Sequence, residues 1–225
     1  MASLFGTKVS KFRNVIGTDP KAPECWTELR LSPITTESTY IKCNGTYFAV
    51  ALQGGGGPFT IVSATTPMRC DDKSIFTCNA HTGPVIDFDF NPFNDSQIVS
   101  CSEDCSIKLW EIPEGGLTAN LDAAKADIGH HDRKVTSVHF HPTAEGVLLS
   151  TGMENSVKLW DVNACKELNV CADQHPDIIQ DVAWDWCGNN YATSCKDRGI
   201  RVVDARSATV TTTIENAHTG AKAIK

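Results

Sequence analysis

Three sets of side chains in this sequence carry the parts of an acid–base relay: His81, Ser100 and Asp104; His131, Ser150 and Glu154; His175, Thr193 and Asp197. A histidine base, a hydroxyl nucleophile and an orienting carboxylate are what acyl-transfer hydrolases assemble. A catalytic triad, however, occurs once, and this one recurs at near-constant offsets. The chain also has no Gly-x-Ser-x-Gly elbow to present a serine. The same residues suit a buried side-chain hydrogen-bond network, completed by the indole donors of Trp110 and Trp160, that ties neighbouring strands together.

Other chemistry is weaker. His139-x-His141 would place two imidazoles on one face of a strand, but no cysteine or carboxylate set completes a metal site, so surface or inter-sheet histidines are the better reading. His130 and His131 would point to opposite faces if extended. The run Gly54-Gly55-Gly56-Gly57 is followed by Pro58, not by Lys-Ser/Thr, and reads as a flexible hairpin turn, not a phosphate loop. No cofactor or metal is expected. Asn44-Gly45-Thr46 reads as a plain turn.

The spacing identifies the elements that must position these groups. Trp110 lies 29 residues after His81, and Trp160 lies 29 after His131. Phe90, Phe140 and Trp184 each follow their histidine by nine residues. A further copy opens at Ala217-His218-Thr219-Gly220, echoing Ala80-His81-Thr82-Gly83, so successive histidines are 50, 44 and 43 residues apart. That period, with short apolar alternations separated by polar and glycine-containing turns, predicts one four-stranded propeller blade per repeat. The fold class is therefore all-β, a WD-repeat β-propeller, incomplete, with about four blades.

The chain divides into a basic lead-in and closing strand (1–30), a degenerate first blade (31–76), three WD repeats (77–124, 125–170, 171–213) and the start of another (214–225). Glu154 in place of Asp, and Val203 in place of Trp, predict weakened networks in the second and third repeats.

Composition narrows the function classes. With 41% hydrophobic and 21% charged residues the chain is ordinary for a globular protein, and no apolar run of membrane-spanning length occurs. The lead-in holds five bases against three acids, a net +2, leaving −9 on the rest of a chain of formal charge −7. An acidic body disfavours general nucleic-acid binding, while a basic lead-in suits an acidic protein surface. Ten scattered cysteines without a Cys-x-x-Cys pair read as free thiols, and the N-terminus lacks a secretory signal, so a cytosolic setting is expected.

Several strings are more specific. Lys11-Phe12-Arg13-Asn14-Val15-Ile16-Gly17, Cys25-Trp26-Thr27-Glu28-Leu29-Arg30-Leu31-Ser32 and the glycine-rich turn with Pro58-Phe59 closely resemble the start of coronins. Ser102-Glu103-Asp104-Cys105, Trp110-Glu111-Ile112-Pro113-Glu114-Gly115-Gly116-Leu117, Asn155-Ser156-Val157 before Leu159-Trp160-Asp161-Val162, and His175-Pro176-Asp177 continue the likeness from about residue 8 to Lys225. The resemblance implies a seven-bladed propeller that binds filamentous actin and works with actin-regulatory proteins at the cytoplasmic actin cortex. It also implies a later extension and an oligomerising coiled coil, neither of which is in this sequence, and a strand around Phe12–Ile16 that completes the last blade.

The sequence thus reads as part of a longer protein, marginally stable or association-prone alone. By the same resemblance Arg30 contributes to filament binding, with Lys8, Lys11 and Arg13 as weaker members of the patch. On its residues alone, Arg30 reads as a solvated strand side chain. The repeats alone fit equally a generic WD-repeat scaffold that is not specific for actin.

Overall fold

Short alternating apolar stretches, rich in β-branched and aromatic residues, give fifteen strands among the described residues. The computed structural model describes residues 17–33, 40–71 and 74–217. The first sheet has three strands, β1 (Ile41–Cys43), β2 (Tyr47–Ala51) and β3 (Phe59–Ser63). The second holds β4 (Val85–Phe90), β5 (Gln97–Ser102), β6 (Ser106–Glu111) and β7 (Ala126–His130). The third holds β8 (Val135–Phe140), β9 (Val147–Gly152), β10 (Val157–Asp161) and β11 (Lys166–Cys171). The fourth holds β12 (Ile179–Trp184), β13 (Asn190–Cys195), β14 (Ile200–Asp204) and β15 (Thr209–Ile214).

Each sheet is an antiparallel meander, and its first strand touches the first strand of the next sheet. The sheets therefore fan out as blades from an inner row formed by β1, β4, β8 and β12. Three apolar layers fill the gaps. Phe59, Phe88 and Trp110 join the first and second sheets, Val99, Val138 and Trp160 the second and third, and Leu149, Ile179 and Tyr191 the third and fourth.

Repetition extends to the backbone. Register shifts fall between Val85 and Asp87, Val135 and Ser137, and Ile179 and Asp181, at one place on each of the inner strands β4, β8 and β12. Such bulges strengthen the local twist. Cys105, Asn155 and Arg198 occupy the same turn with φ of 69, 65 and 69°. Left-handed geometry at matching positions in three unrelated residues shows that the turn, not the side chain, dictates the conformation.

Sheets and sequence repeats are offset. The outer strand β7 ends at His130, immediately before His131, and β11 ends four residues before His175. Even the three-stranded first sheet is extended by a bridge between Phe59 and Cys78, just ahead of His81. The residues opening one repeat thus complete the preceding blade, which interlocks adjacent sheets.

The first sheet is covered on its far side as well. Trp26 packs edge-on against Phe48 at 5.4 Å, and its indole N–H donates to the Ser63 carbonyl at 3.1 Å. Leu29, Met68 and Ile75 complete that cover. The glycine run forms the β2–β3 hairpin turn, exposed at Gly54 and Gly55 and packed at Gly57. A Cβ at Gly57, whose φ is +67°, would run into the backbone of residues 83–85, so the turn wedges against the strand entry of the next sheet. The Asn44 side chain closes the β1–β2 turn by accepting the Thr46 and Tyr47 amides at 2.8 and 2.6 Å.

Candidate interaction surface

In the second sheet, the Trp110 indole donates to Ser100 Oγ at 2.8 Å, Ser100 Oγ lies 2.7 Å from His81 Nε2, and His81 Nδ1 lies 3.0 Å from Asp104 Oδ2. Asp104 also accepts the Thr82 amide and both the hydroxyl and amide of Ser106, at 2.9, 2.6 and 3.0 Å. Although burial pushes the Asp104 carboxyl up, these donors together with His81 hold it well below the usual carboxylate range. Burial lowers the His81 pKa despite the pull of Asp104. The donors and acceptors match those of a hydrolase triad, but Ser100 and Ser150 are fully buried and an indole occupies each hydroxyl. In these two sets the hydroxyl is closed off within its own sheet, where its hydrogen bonds tie neighbouring strands together.

The third sheet repeats the chain: Trp160 to Ser150 at 2.7 Å, Ser150 to His131 at 2.6 Å, and His131 to Glu154. The expected weakening is confined here to the carboxylate: Glu154 keeps His131 and the Ser156 hydroxyl, but its Oε2 is buried without a hydrogen-bond partner among the described residues. Glu154 is one methylene longer than Asp104, and the extra length is accommodated by Gly152, which stands where the second sheet has Ser102. A Cβ on Gly152 would overlap the Glu154 carboxylate. Burial raises the Glu154 pKa, but His131 and Ser156 outweigh it and bring the value down to about 2.

The fourth sheet does show the weakening. His175 keeps Thr193 at 2.9 Å, but its Nδ1 has no hydrogen-bond partner among the described residues. Asp197 is instead engaged by Arg201, whose Nη2 lies 2.5 Å from its carboxylate, and Val203 offers no indole. Burial, then the nearby Arg201 charge, lower His175 to about 4.

Sequence reading missed two recurring participants. Ser106 and Ser156 each follow the acid by two residues, and that repetition could have revealed them. Lys108, Lys158 and Arg201 also share one register position. The two lysines reach outward to Asp127 at 2.9 Å and Glu167 at 3.4 Å, whereas the arginine fork turns to the blade's own acid.

The inner row has polar couplings across blades. Asp87 and Asp89 on β4 accept the Val138 and Phe140 amides of β8 at 3.3 and 2.8 Å, and Lys42 on β1 reaches Asp89 at 3.5 Å. Burial raises Asp87 to about 6, while burial and Lys42 lower His139 to about 4. His141 is an inter-blade histidine: it lies against Trp184 with ring centres 4.5 Å apart, and its Nε2 donates to the Gly188 carbonyl at 2.9 Å. No group of three or more metal-binding side chains occurs among the described residues, and no helix there is long and apolar enough to cross a membrane.

Arg30 is exposed where the lead-in docks on the first sheet. Its carbonyl accepts the Gln53 amide at 2.9 Å, Leu31 bridges Leu52, and Glu28 pairs with Arg69 at 2.9 Å. Beside it is a recess of about 220 Å³ lined by Leu52, Gln53, Pro58, Ile75, Thr77 and Asn120. Lys8, Lys11 and Arg13, like the Phe12–Ile16 segment and His218, lie outside the described residues.

Comparison with known proteins now adds to this geometry. A domain of unknown function, DUF1899, matches residues 5–69, and the WD domain, G-beta repeat, matches 72–111 and 125–161, the two repeats that keep the terminal tryptophan. Coronin-2A from Bos taurus is 35% identical over 206 residues, covering 89% of this chain and 39% of that protein. The coronin-like protein of Saccharomyces cerevisiae is 33% identical over 226 residues, covering 96% of this chain and 34% of that protein. The crystal structure of the WD40 domain from Toxoplasma gondii coronin aligns with a TM-score of 0.82 at 28% identity, covering 88% of this chain and 50% of that one.

This is a coronin-family chain. The WD40 propeller of Doa1, at 18% identity and a TM-score of 0.60 over 79% of this chain, shares the fold alone. The coronin chain described here thus holds four antiparallel sheets of a WD40 propeller and spans less than half the length of the curated relatives it matches.

Proposed function

We propose that this coronin chain contributes a filament-binding face to an actin-organising protein at the cytoplasmic actin cortex, acting as a binding platform and not as an enzyme. One observation carries the reading: Arg30, the residue assigned by the coronin resemblance, is exposed on a segment whose backbone is pinned to the first sheet. A pre-positioned guanidinium offers a permanent charge and a planar fork for carboxylates, which suits an acidic filament. The basic lead-in residues Lys8, Lys11 and Arg13 extend the same patch in this proposal, and actin-regulatory proteins are its further partners.

Cosedimentation with actin filaments tests it. Binding is expected to weaken as ionic strength rises, because exposed charges are screened beyond roughly 8–10 Å. Arg30→Asp should weaken binding at least about tenfold, the equivalent of about 1.4 kcal/mol, and leave the urea midpoint unchanged. Arg30→Asp binding like the parent would remove Arg30 from the site. A parent chain that fails to cosediment at low salt would favour a WD-repeat scaffold without actin specificity.

A further inference from the structure

A cleft of about 450 Å³ opens between the third and fourth sheets, far along the chain from Arg30. Val147, Leu159 and Trp184 supply apolar wall, and Leu168 stands beside them more than half exposed. One charged side chain lines it, Arg206, which forms no close ion pair among the described residues but lies near enough to Asp204 to add to the Ser207 hydrogen bonds in lowering that carboxyl. That volume accommodates one or two large side chains of a ligand.

The rim is unusual. Trp186 is 92% exposed in the β12–β13 turn, and the three residues that follow it line the cleft. Nothing in the blade core uses this indole, in contrast to Trp110 and Trp160. The turn itself is held from both sides: Asn190 Nδ2 donates to Asp185 at 3.1 Å, Thr143 Oγ1 to the Cys187 carbonyl at 2.8 Å and His141 Nε2 to the Gly188 carbonyl at 2.9 Å. A fixed platform for an exposed indole loses little conformational freedom when a partner docks.

Tryptophan and arginine are among the residue types that dominate binding energy at protein interfaces; Arg206 lines this cleft, and exposed Trp186 immediately precedes the turn residues that line it. An apolar wall with a single lining cation matches a ligand that carries an apolar anchor next to a carboxylate. We infer that this cleft docks an acidic peptide segment of another protein, with an aliphatic or aromatic side chain seated against Trp184 and Leu168 and a carboxylate on Arg206. This goes beyond filament binding and uses none of the residues assigned to it.

The test uses the 225-residue chain and three fluorescein-labelled dodecapeptides: one of alternating Leu and Glu pairs, the same with Lys for Glu, and the same with Ser for Leu. Fluorescence anisotropy should show saturable binding of the Leu–Glu peptide alone. Trp186→Ala should weaken it at least about tenfold, as expected for an anchor residue, and Arg206→Glu should transfer the preference to the Leu–Lys peptide. Both positions are exposed, so both variants should fold. Arg30→Asp should leave peptide binding unchanged, and Trp186→Ala should leave filament cosedimentation unchanged, which separates the two sites. Failure of the Leu–Glu peptide to bind, equal binding of the Leu–Lys peptide, or insensitivity to both variants would overturn the proposal.

Discussion

The third and fourth sheets answer the same problem in different ways. Each buries a histidine between blades, and each departs from the arrangement of the second sheet. In the third, the longer acid Glu154 is matched by the loss of a side chain at Gly152, and every contact from indole to carboxylate survives. In the fourth, the indole is gone, Asp197 is drawn to Arg201, and His175 keeps one partner. The difference teaches that a blade network tolerates a change of length when one neighbour yields. Loss of a donor instead reorganises the charges around it.

Removing the central hydroxyl should separate the two sheets most sharply. Ser150→Ala leaves both His131 Nε2 and Trp160 Nε1 buried without partners, at about 1–3 kcal/mol each, so a loss of about 2–6 kcal/mol is expected. Thr193→Val strands His175 Nε2 alone and should cost about half as much. Urea midpoints measure both. Equal losses would show that the third sheet gains nothing from its indole bond.

These differences were only partly legible in the sequence. Fixed offsets of His, Ser, acid and Trp encode which side chains meet, because each offset places a residue on one strand at one register. That is why the blades and their approximate number could be read directly, and why the residues of the second and third sheets' hydrogen-bond chains could be proposed from spacing. Compensation between Gly152 and Glu154 depends on the direction of a Cβ that is not there, which spacing does not reveal. Arg201 shares its register position with two lysines, and its inward turn follows from a planar fork lying near an acid with no competing histidine bond. The Asp87 and Asp89 bonds to β8 cross 51 residues and depend on how two blades face each other. For Arg30, sequence supplied the residue through family resemblance, and the structure adds its exposure and the anchoring of its backbone.

Acid should separate His175 from Glu154 by pH window, although His139 on β8, also lowered to about 4, titrates in the same window as His175. His175 is held down to about 4, against about 6.5 for an unfolded histidine. Between these values the unfolded chain takes up a proton that the folded chain refuses, so stability falls as pH drops from 6.5 to 4, by up to about 3 kcal/mol. Glu154, lowered to about 2, stabilises the fold above 4.5 and loses that contribution as pH falls towards 2. Asp87, raised to about 6, acts in the opposite direction: the folded state takes up its proton first, so acidification from pH 6 towards 4 favours folding. Subtracting the profile of His175→Gln from that of the parent isolates the first effect, and Glu154→Gln isolates the second. Should His175→Gln leave the slope between pH 6.5 and 4 unchanged, burial of that imidazole would contribute nothing to the acid sensitivity of the fold.

The smallest expected effect sharpens the comparison furthest. If Gly152 is what lets Glu154 complete the third network, then Gly152→Ser, which installs the residue of the second sheet, should force the carboxylate aside and cost about 1–3 kcal/mol. Glu154→Asp alone shortens the acid over an empty position and should cost about 1 kcal/mol through a stretched bond to His131. Together the two changes recreate the Ser102 and Asp104 pairing, so the double variant should be more stable than Gly152→Ser alone. A coupling energy of about 1 kcal/mol or more in the double-mutant cycle is expected for residues in direct contact. Simple additivity would mean that the two positions adapt independently, and that the third sheet keeps its network for another reason.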